Sequence, residues 1–358
     1  MTADRDLESL TVYFHFDRTL SLSARTTQKM GEYMQSPGSP SIDRSVTLNF
    51  VGDWGQANFH RICSWLCQEF SDRAGLRSRV AIWNTRGGGL EGPISVFDGE
   101  AQLCITTPAM LVGDALVGEG IFSGNAMPTL RALGVLPQND RLVLAIDPKF
   151  GVSTFEELRA KKPNLRIAAS VDDGTNYIGY VSQRYMEAHG IDEATLKSWG
   201  GEYVVSQRPE QSIARMVSGE VDAVLQEAIM TPWWREAMSV RNAVALPAEE
   251  QALAVLKQNY GFRRNSLPAG YWDNLPEAID TLDFSDFVIL VRDDMPDDIA
   301  HLLAWCLVET RGTLEAQYRH IPPERSPLSY PLDPFKMADT PVPLHPGAER
   351  YYREAGYI

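Results

Sequence analysis

Apolar and polar positions along the chain predict short strands that are followed by loops and helices. Residues 46–51 form an apolar run typical of a buried strand, and a polar loop with Gly52 and Gly55 follows it. From Phe59 to Phe70 apolar side chains recur every three or four residues, the spacing of one helix face. The unpaired N–H groups of such a loop and helix start favour an anion, and an ordinary strand-to-helix turn is the alternative.

The same order of elements recurs along the chain. Further strands are predicted at 79–83, 101–105, 130–136, 141–147, 165–171, 203–206 and 221–225, and helices at 177–189 and 209–218. The segments 97–103 and 217–223 also resemble each other, because each places a Gly-Glu pair before an apolar run. We infer two α/β lobes whose loops lie at the carboxyl edges of parallel strands, where ligands bind.

Length and charge narrow the range of functions. The chain has 358 residues, 44% of them hydrophobic, which is enough for about two or three domains with a sizeable core. A net charge of −14 repels phosphate groups, so nucleic acid is excluded as a partner. The stretch SPGSPS is typical of a linker. The predicted domains are an N-terminal extension (1–45), a first lobe (46–144 plus 286–358) and a second lobe (145–285).

The first ten residues, MTADRDLESL, lack the basic and apolar regions of a secretory signal peptide. The sequence also contains no run of about 18 apolar residues that would predict a membrane span. We therefore predict a cytoplasmic chain. A periplasmic or other extracytoplasmic location is the alternative, if the start is misassigned or trimmed.

The final residues carry a resemblance to a known family. The stretch 343–356 reads PLHPGAERYYREAG and resembles the closing signature of the TAXI-type solute receptors of TRAP transporters. The loop 85–89 resembles the Thr-Gly-Gly-Ser loop of that family, 172–176 lies at its Gly-Ser-Gly-Thr loop, and 219–223 matches its Gly-x-x-Asp-Ala turn. The resemblance covers about 46–358. It implies an α/β, two-lobed, periplasmic-binding-protein-like (type II, NMT1-like) fold with a ligand cleft between the lobes.

The resemblance also implies a function. Family members capture a small organic anion, often a carboxylate, by closing two lobes around it, and a TRAP-type membrane transporter is the candidate partner. The ligand-binding residues implied by the matching loops, together with one that departs from the family, are Trp54, Gln56, Asn58, Thr85, Arg86, Thr106, Thr107, Asp173, Thr175, Asn176 and Glu227.

Each residue type suits such a site and also has a structural explanation. Arg86 offers a planar, charged pair of donors to a carboxylate, or forms a surface salt bridge. The threonine and asparagine side chains offer hydrogen bonds, or serve as caps and turns. Asp173 and Glu227 can bind an amine or hydroxyl of the ligand, hold Arg86 in place, or remain solvated. Trp54 can form a wall of the pocket or part of the core.

Departures from the family keep a second hypothesis open. The family has small residues at the positions of Arg86 and Asp173, and Gly and Pro near Glu227. The alternative function is a cytoplasmic enzyme on the same scaffold, a decarboxylase, isomerase or hydrolase of an organic acid. A third hypothesis is a ligand sensor that docks a partner through 1–45. Because HExxH, GxSxG, P-loop and paired CxxC motifs are absent from the sequence, we predict no cofactor and no metal, and favour a binding protein.

Overall fold

Two mixed β-sheets with helices on their faces organise the chain. The computed structural model describes residues 39–52, 58–85, 88–229, 231–323 and 326–358. Most of the predicted N-terminal extension lies outside these ranges, and its role stays a prediction. In the part of the chain that is described, helices are either too short or too polar to cross a membrane.

The first sheet has the strand order β2-β1-β3-β12-β4. Its strands are β1 (Thr47–Gly52), β2 (Arg79–Asn84), β3 (Leu103–Thr106), β4 (Leu130–Leu136) and β12 (Phe287–Arg292). Strands β2 and β3 pair in parallel with β1, whereas β12 runs antiparallel to both β3 and β4. The carboxyl ends of β1, β2 and β3 therefore share one edge of this sheet.

The second sheet has the strand order β10-β11-β5-β8-β6-β7, and β9 pairs with β5 beside it. Its strands are β5 (Arg141–Ile146), β6 (Arg166–Ser170), β7 (Glu202–Ser206), β8 (Ala223–Glu227), β9 (Val244–Ala245), β10 (Arg264–Leu267) and β11 (Ile279–Asp283). Strands β7 and β8 are parallel to β6. The ends of these three strands again share one edge.

Helices connect the strands and cover both sheets. Their bounds are α1 (Asn58–Ser71), α2 (Glu91–Phe97), α3 (Ala109–Val117), α4 (Phe155–Lys161), α5 (Tyr177–Ala188), α6 (Glu193–Ser198), α7 (Pro209–Ser218), α8 (Thr231–Val240), α9 (Glu250–Tyr260), α10 (Asp297–Glu309), α11 (Arg311–Ala316), α12 (Pro334–Ala338) and α13 (Pro346–Glu354). The predicted strand over 130–136 and the predicted helix over 209–218 are confirmed residue for residue.

The two similar segments of the sequence have the same local structure. Helix α2 is followed by Gly99 and then β3, and helix α7 is followed by Gly219 and then β8. Both glycines adopt left-handed backbone angles, with φ of 80° and 77°, which side chains of L-residues disfavour. The repeat in the sequence thus reflects the same turn from a helix into a strand in each sheet.

Two segments cross between the sheets. One joins β4 to β5 and the other joins β11 to β12. The main-chain N–H of Phe284 donates to the carbonyl of Asp140 at 3.0 Å, and the N–H of Gln138 donates to Oδ1 of Asp286 at 3.1 Å. Because each crossover is hydrogen-bonded to the other, the two form one joint between the lobes.

The lobes also meet through a buried aromatic contact. Phe122, which precedes β4, packs edge-on against Tyr177 of α5 at a ring-centroid distance of 5.9 Å, and both side chains are buried.

The C-terminal tail is hydrogen-bonded to β4. The N–H of His345 donates to the carbonyl of Ala132, and Nδ1 of His345 accepts from the N–H of Gly347 at 3.1 Å. The tail signature therefore fastens α13 to the first lobe.

Candidate functional site

The loops at the carboxyl edges of the two sheets face each other and touch. The N–H of Gly88, after β2, donates to the carbonyl of Thr175 at 3.1 Å, and the N–H of Tyr177 donates back to the carbonyl of Gly88 at 2.8 Å. Thr175 and Tyr177 belong to the loop after β6 and the start of α5. The cleft between the lobes is therefore bounded by the strand ends at which the sequence places its candidate residues.

Two candidate residues of the first lobe lie beside the first crossover. Oγ1 of Thr106 donates to the carbonyl of Gly89 at 3.0 Å, so this buried hydroxyl holds the loop after β2. Thr107 is 4% exposed, and its Oγ1 accepts from Nε2 of Gln138 at 2.8 Å. A hydroxyl that accepts in this way can still donate its own hydrogen. Thr107 therefore remains a candidate donor to an oxygen of a solute.

The candidate residues of the second lobe hold their own loop together. Oδ1 of Asp173 accepts from both the N–H (3.0 Å) and the hydroxyl (2.6 Å) of Thr175, and these hydrogen bonds lower the pKa of Asp173. Oδ1 of Asn176 accepts from the N–H of Gly179 at 3.1 Å and caps α5. These contacts match the structural explanation for each residue. Whether the same residues also touch a solute stays a prediction.

Glu227 lies at the end of β8 and forms a buried pair with Asp140 of the first crossover. The two residues are 8% and 1% exposed. Oδ1 of Asp140 accepts from the N–H groups of Arg141 (2.7 Å) and Ile229 (3.0 Å). Burial, followed by the charge of Glu227, raises the pKa of Asp140 well above its ordinary value. Burial also raises the pKa of Glu227 to about 7, with Glu210 adding to the rise.

The carboxyl groups of Glu227 and Asp140 can complete their hydrogen bonding by sharing a proton. Oδ2 of Asp140 is buried and finds no N–H or O–H donor within the ranges that the structure describes. A proton on either carboxyl group supplies this donor, and two ionised carboxylates at such a position would repel each other. The raised pKa values of both carboxyl groups are consistent with such a shared proton.

The remaining candidates are placed as follows. The N–H of Thr85 donates to the carbonyl of Gly52 at 3.3 Å, at the shared edge of β1 and β2. Oδ1 of Asn58 accepts from the hydroxyl of Tyr318 at 3.1 Å, so its side chain turns towards the first lobe's own tail region. Trp54, Gln56 and Arg86 lie outside the described residues, and their roles stay predictions.

Sequence reasoning missed several polar residues at the same edges. Arg208 follows β7 and has a 23% exposed side chain, and its Nη1 lies 3.2 Å from Oε1 of Glu210. Gln138 and Asp140 lie on the first crossover. The strand and helix around Arg208 were both predicted, so the rule that loops at carboxyl edges bind ligands could have found it. No comparable signal in the sequence indicates that a crossover enters the site.

A groove of about 660 Å³ lies beside the two crossovers. Residues of both lobes and both crossovers line it, among them Met110, Gln138, Asn139, Arg263, Asp286 and Lys336. Nη2 of Arg263 lies 2.8 Å from Oδ2 of Asp283, which ends β11. Because both crossovers border the groove, a change in the angle between the lobes would change its shape.

This arrangement of two sheets and two crossovers is that of periplasmic-binding-protein-like proteins. The structure of periplasmic binding protein BugD covers 88% of this chain and 99% of its own, with 11% sequence identity and a TM-score of 0.50. A TctC solute-binding protein from Polaromonas has 11% sequence identity and a TM-score of 0.49, and the match covers 88% of this chain and 99% of that protein. MatC from Rhodopseudomonas palustris with bound malate has 12% sequence identity and a TM-score of 0.49, and the match covers 87% of this chain and 98% of MatC. At 11% identity the likeness to BugD shows the fold alone, and it confirms the predicted two-lobed architecture.

The family is shown by the sequence itself. The profile of the NMT1-like family matches residues 62–356, which is most of the chain. The chain belongs to the NMT1-like family.

The predicted cytoplasmic location is wrong. The fold is shared with the periplasmic binding protein BugD, and this finding contradicts the prediction. The prediction relied on the composition of the first ten residues and on the lack of a long apolar run in the sequence. Neither feature says where the rest of the chain works.

Proposed function

We propose that this chain is an extracytoplasmic solute-binding protein that captures a small carboxylate between its two lobes. Its fold, its membership of the NMT1-like family and the tail signature at 343–356 support this proposal. The tail signature further favours a TAXI-type receptor that delivers its solute to a TRAP-type transporter.

The observation that carries the proposal is the hydroxyl of Thr107, which follows β3 and is held by Gln138 of the first crossover. Gln138 donates to this hydroxyl, so the hydrogen of the hydroxyl is left for another acceptor. A hydroxyl fixed in this way loses little conformational freedom when it donates to an oxygen of a solute. Carboxylate oxygens are strong acceptors of such hydrogen bonds.

Arg208 supplies a positive charge at the facing edge of the second lobe. Its guanidinium is partly exposed and contacts Glu210, which leaves further N–H donors of the fork for a solute. A carboxylate between Thr107 and Arg208 would thus contact both lobes. This contact with both lobes is what couples binding to closure.

Carboxylates are expected to raise the thermal unfolding temperature of the purified chain. The measurement is a thermal shift with a panel of mono-, di- and tricarboxylates at millimolar concentration, because a ligand that binds only the folded state stabilises it. Arg208→Gln should weaken the best ligand about 10-fold or more, the usual effect of losing a charged hydrogen bond. Thr107→Val should act in the same direction.

Arg166→Gln is the matched control. Arg166 begins β6 at the opposite edge of the same sheet, where its Nε lies 2.9 Å from Oε1 of Glu202. The control should bind as the wild type does. No shift with any carboxylate in a folded sample, or equal binding by Arg208→Gln, would count against the proposal.

The pair of Glu227 and Asp140 favours an enzyme as the second candidate function. A carboxyl with a pKa of about 7 suits a general acid or base. If the chain is such an enzyme, a carboxylate found by thermal shift should be converted, as followed by NMR of the mixture. Glu227→Gln should then keep binding and abolish conversion. An unchanged carboxylate after long incubation with the wild type would leave only the binding function.

A further inference from the structure

One contact between the lobes is made by main-chain atoms alone. Gly88 uses both of its polar groups there, since its N–H donates to Thr175 and its carbonyl accepts from Tyr177. Gly88 follows a strand of the first sheet, whereas Thr175 and Tyr177 follow a strand of the second. Two main-chain hydrogen bonds therefore join a loop of the first lobe to a loop of the second.

The contact is so close that only glycine fits. A Cβ atom on Gly88 would lie 2.1 Å from Cα of Asn176 and 2.3 Å from the carbonyl oxygen of Thr175. A Cβ atom on Gly89 would lie 2.1 Å from Cδ2 of Tyr177, and Gly89 also has a φ of 101°. These overlaps involve the main chain and a buried ring, which cannot move aside as a flexible side chain can. Any side chain at Gly88 would therefore wedge the lobes apart.

Both sides of the contact are held in place before they meet. In the first lobe, the hydroxyl of Thr106 donates to the carbonyl of Gly89 at 3.0 Å. In the second lobe, Asn176 caps α5 through the N–H of Gly179, and Asp173 holds Thr175. Because the loops keep their shapes, little conformational entropy is lost when they join.

We propose that Gly88 and Gly89 form a main-chain latch that closes the cleft by direct contact between the lobes and sets their closest approach. The latch strengthens the closed form whichever solute is bound, because its bonds join protein to protein. A solute bound between the lobes would be retained for as long as the latch is closed. The latch as a device for solute capture rests on the proposed function, but its existence does not.

The test compares the wild type with Gly88→Ala, without added solute. Hydrogen exchange is followed by mass spectrometry in peptides that contain the amides of residues 88 and 177, and small-angle X-ray scattering gives the radius of gyration. In the variant we expect these amides to exchange at least about 10-fold faster, the effect of losing two hydrogen bonds. The radius of gyration should also increase. Strand β12 should exchange as in the wild type, which excludes general unfolding.

Gly312→Ala is the control, because a Cβ atom there meets nothing within 4 Å. It should leave the exchange of both latch amides and the radius of gyration unchanged. The proposal is overturned if Gly88→Ala exchanges and scatters as the wild type does. It is equally overturned if both amides of the wild type exchange as fast as those of an open loop.

The results distinguish failure of the latch proposal from failure of the proposed carboxylate binding. If no carboxylate binds but Gly88→Ala opens the molecule, the latch stands and the solute assignment fails. If a carboxylate binds and Gly88→Ala changes neither exchange nor size, the solute assignment stands and the latch fails.

Discussion

Gly179→Ala is expected to destabilise the protein by more than about 3 kcal/mol, because an added methyl group overlaps the main chain. A Cβ atom on Gly179 would lie 1.8 Å from the carbonyl oxygen of Val171 and 2.9 Å from the nitrogen of Asp172. Both atoms belong to the loop that leaves β6. Helix α5 can accept alanine only if it moves away from that loop.

The movement would also disturb the cleft. Gly179 donates its N–H to Oδ1 of Asn176, so a displaced α5 loses its cap. It would also shift Tyr177, which donates to the carbonyl of Gly88 in the latch. We therefore expect Gly179→Ala to lose stability and the contact between the lobes together.

Urea denaturation followed by circular dichroism measures the free energy of unfolding. Gly312→Ala serves again as the control and should be at least as stable as the wild type, because alanine is the better helix former within α11. A Gly179→Ala protein within about 1 kcal/mol of the wild type would mean that the helix and the loop are less closely packed than the structure shows.

Glu227→Gln is expected to be more stable than the wild type by about 3 kcal/mol at pH 8, and this difference should disappear near pH 4. In the folded wild type the pKa of Glu227 is raised from 4.5 to about 7. The unfolded chain releases this proton as the pH rises through 4.5, whereas the folded chain keeps it until about 7. The wild type therefore loses stability over this interval.

The glutamine variant removes that loss. Its amide can donate to the buried Oδ2 of Asp140, which then has a partner without a shared proton. His189 titrates over part of the same range, because burial lowers its pKa to about 4. Its contribution is the same in both proteins. The difference between the two unfolding curves at each pH thus isolates the carboxyl pair.

Asp173→Asn is the control, because the pKa of Asp173 is shifted in the direction opposite to that of Glu227. Hydrogen bonds from Thr175 lower the pKa of Asp173, so its ionised form stabilises the fold above the unfolded pKa. Its removal should lower stability slightly at pH 8. A Glu227→Gln protein that is no more stable than the wild type at pH 8 would show that the buried pair carries no raised pKa.

The order of strands, loops and helices could be predicted from the sequence because it depends on local patterns. The run at 130–136 and the spacing at 209–218 each report which side of an element is buried. The left-handed turns at Gly99 and Gly219 are local as well, which explains why the two segments resemble each other in sequence. The carboxyl-edge rule predicted the region of the ligand-binding loops, whereas the family resemblance implied Thr107, and Glu227 was added as a departure from it. Their place in a site stays a prediction.

The roles within that region depended on partners distant in sequence. Thr106 and Thr107 are neighbours, yet one holds Gly89 and the other is oriented by Gln138. Burial raises the pKa of Glu227, and burial together with the charge of Glu227 raises that of Asp140, 87 positions away. Such pairings come from the crossovers, and a crossover has no periodicity by which a pattern could reveal it.

The sequence by itself determined the two α/β lobes, the strand ends that carry polar loops and the likeness to solute receptors. Periodicity, glycine positions and motif spacing are properties of neighbouring residues, and so they can be read along one chain. Only the tertiary structure decided which threonine hydroxyl is held by Gln138, which carboxyl groups have raised pKa values and which glycines join the lobes. Those outcomes depend on distances and burial between residues that folding brings together.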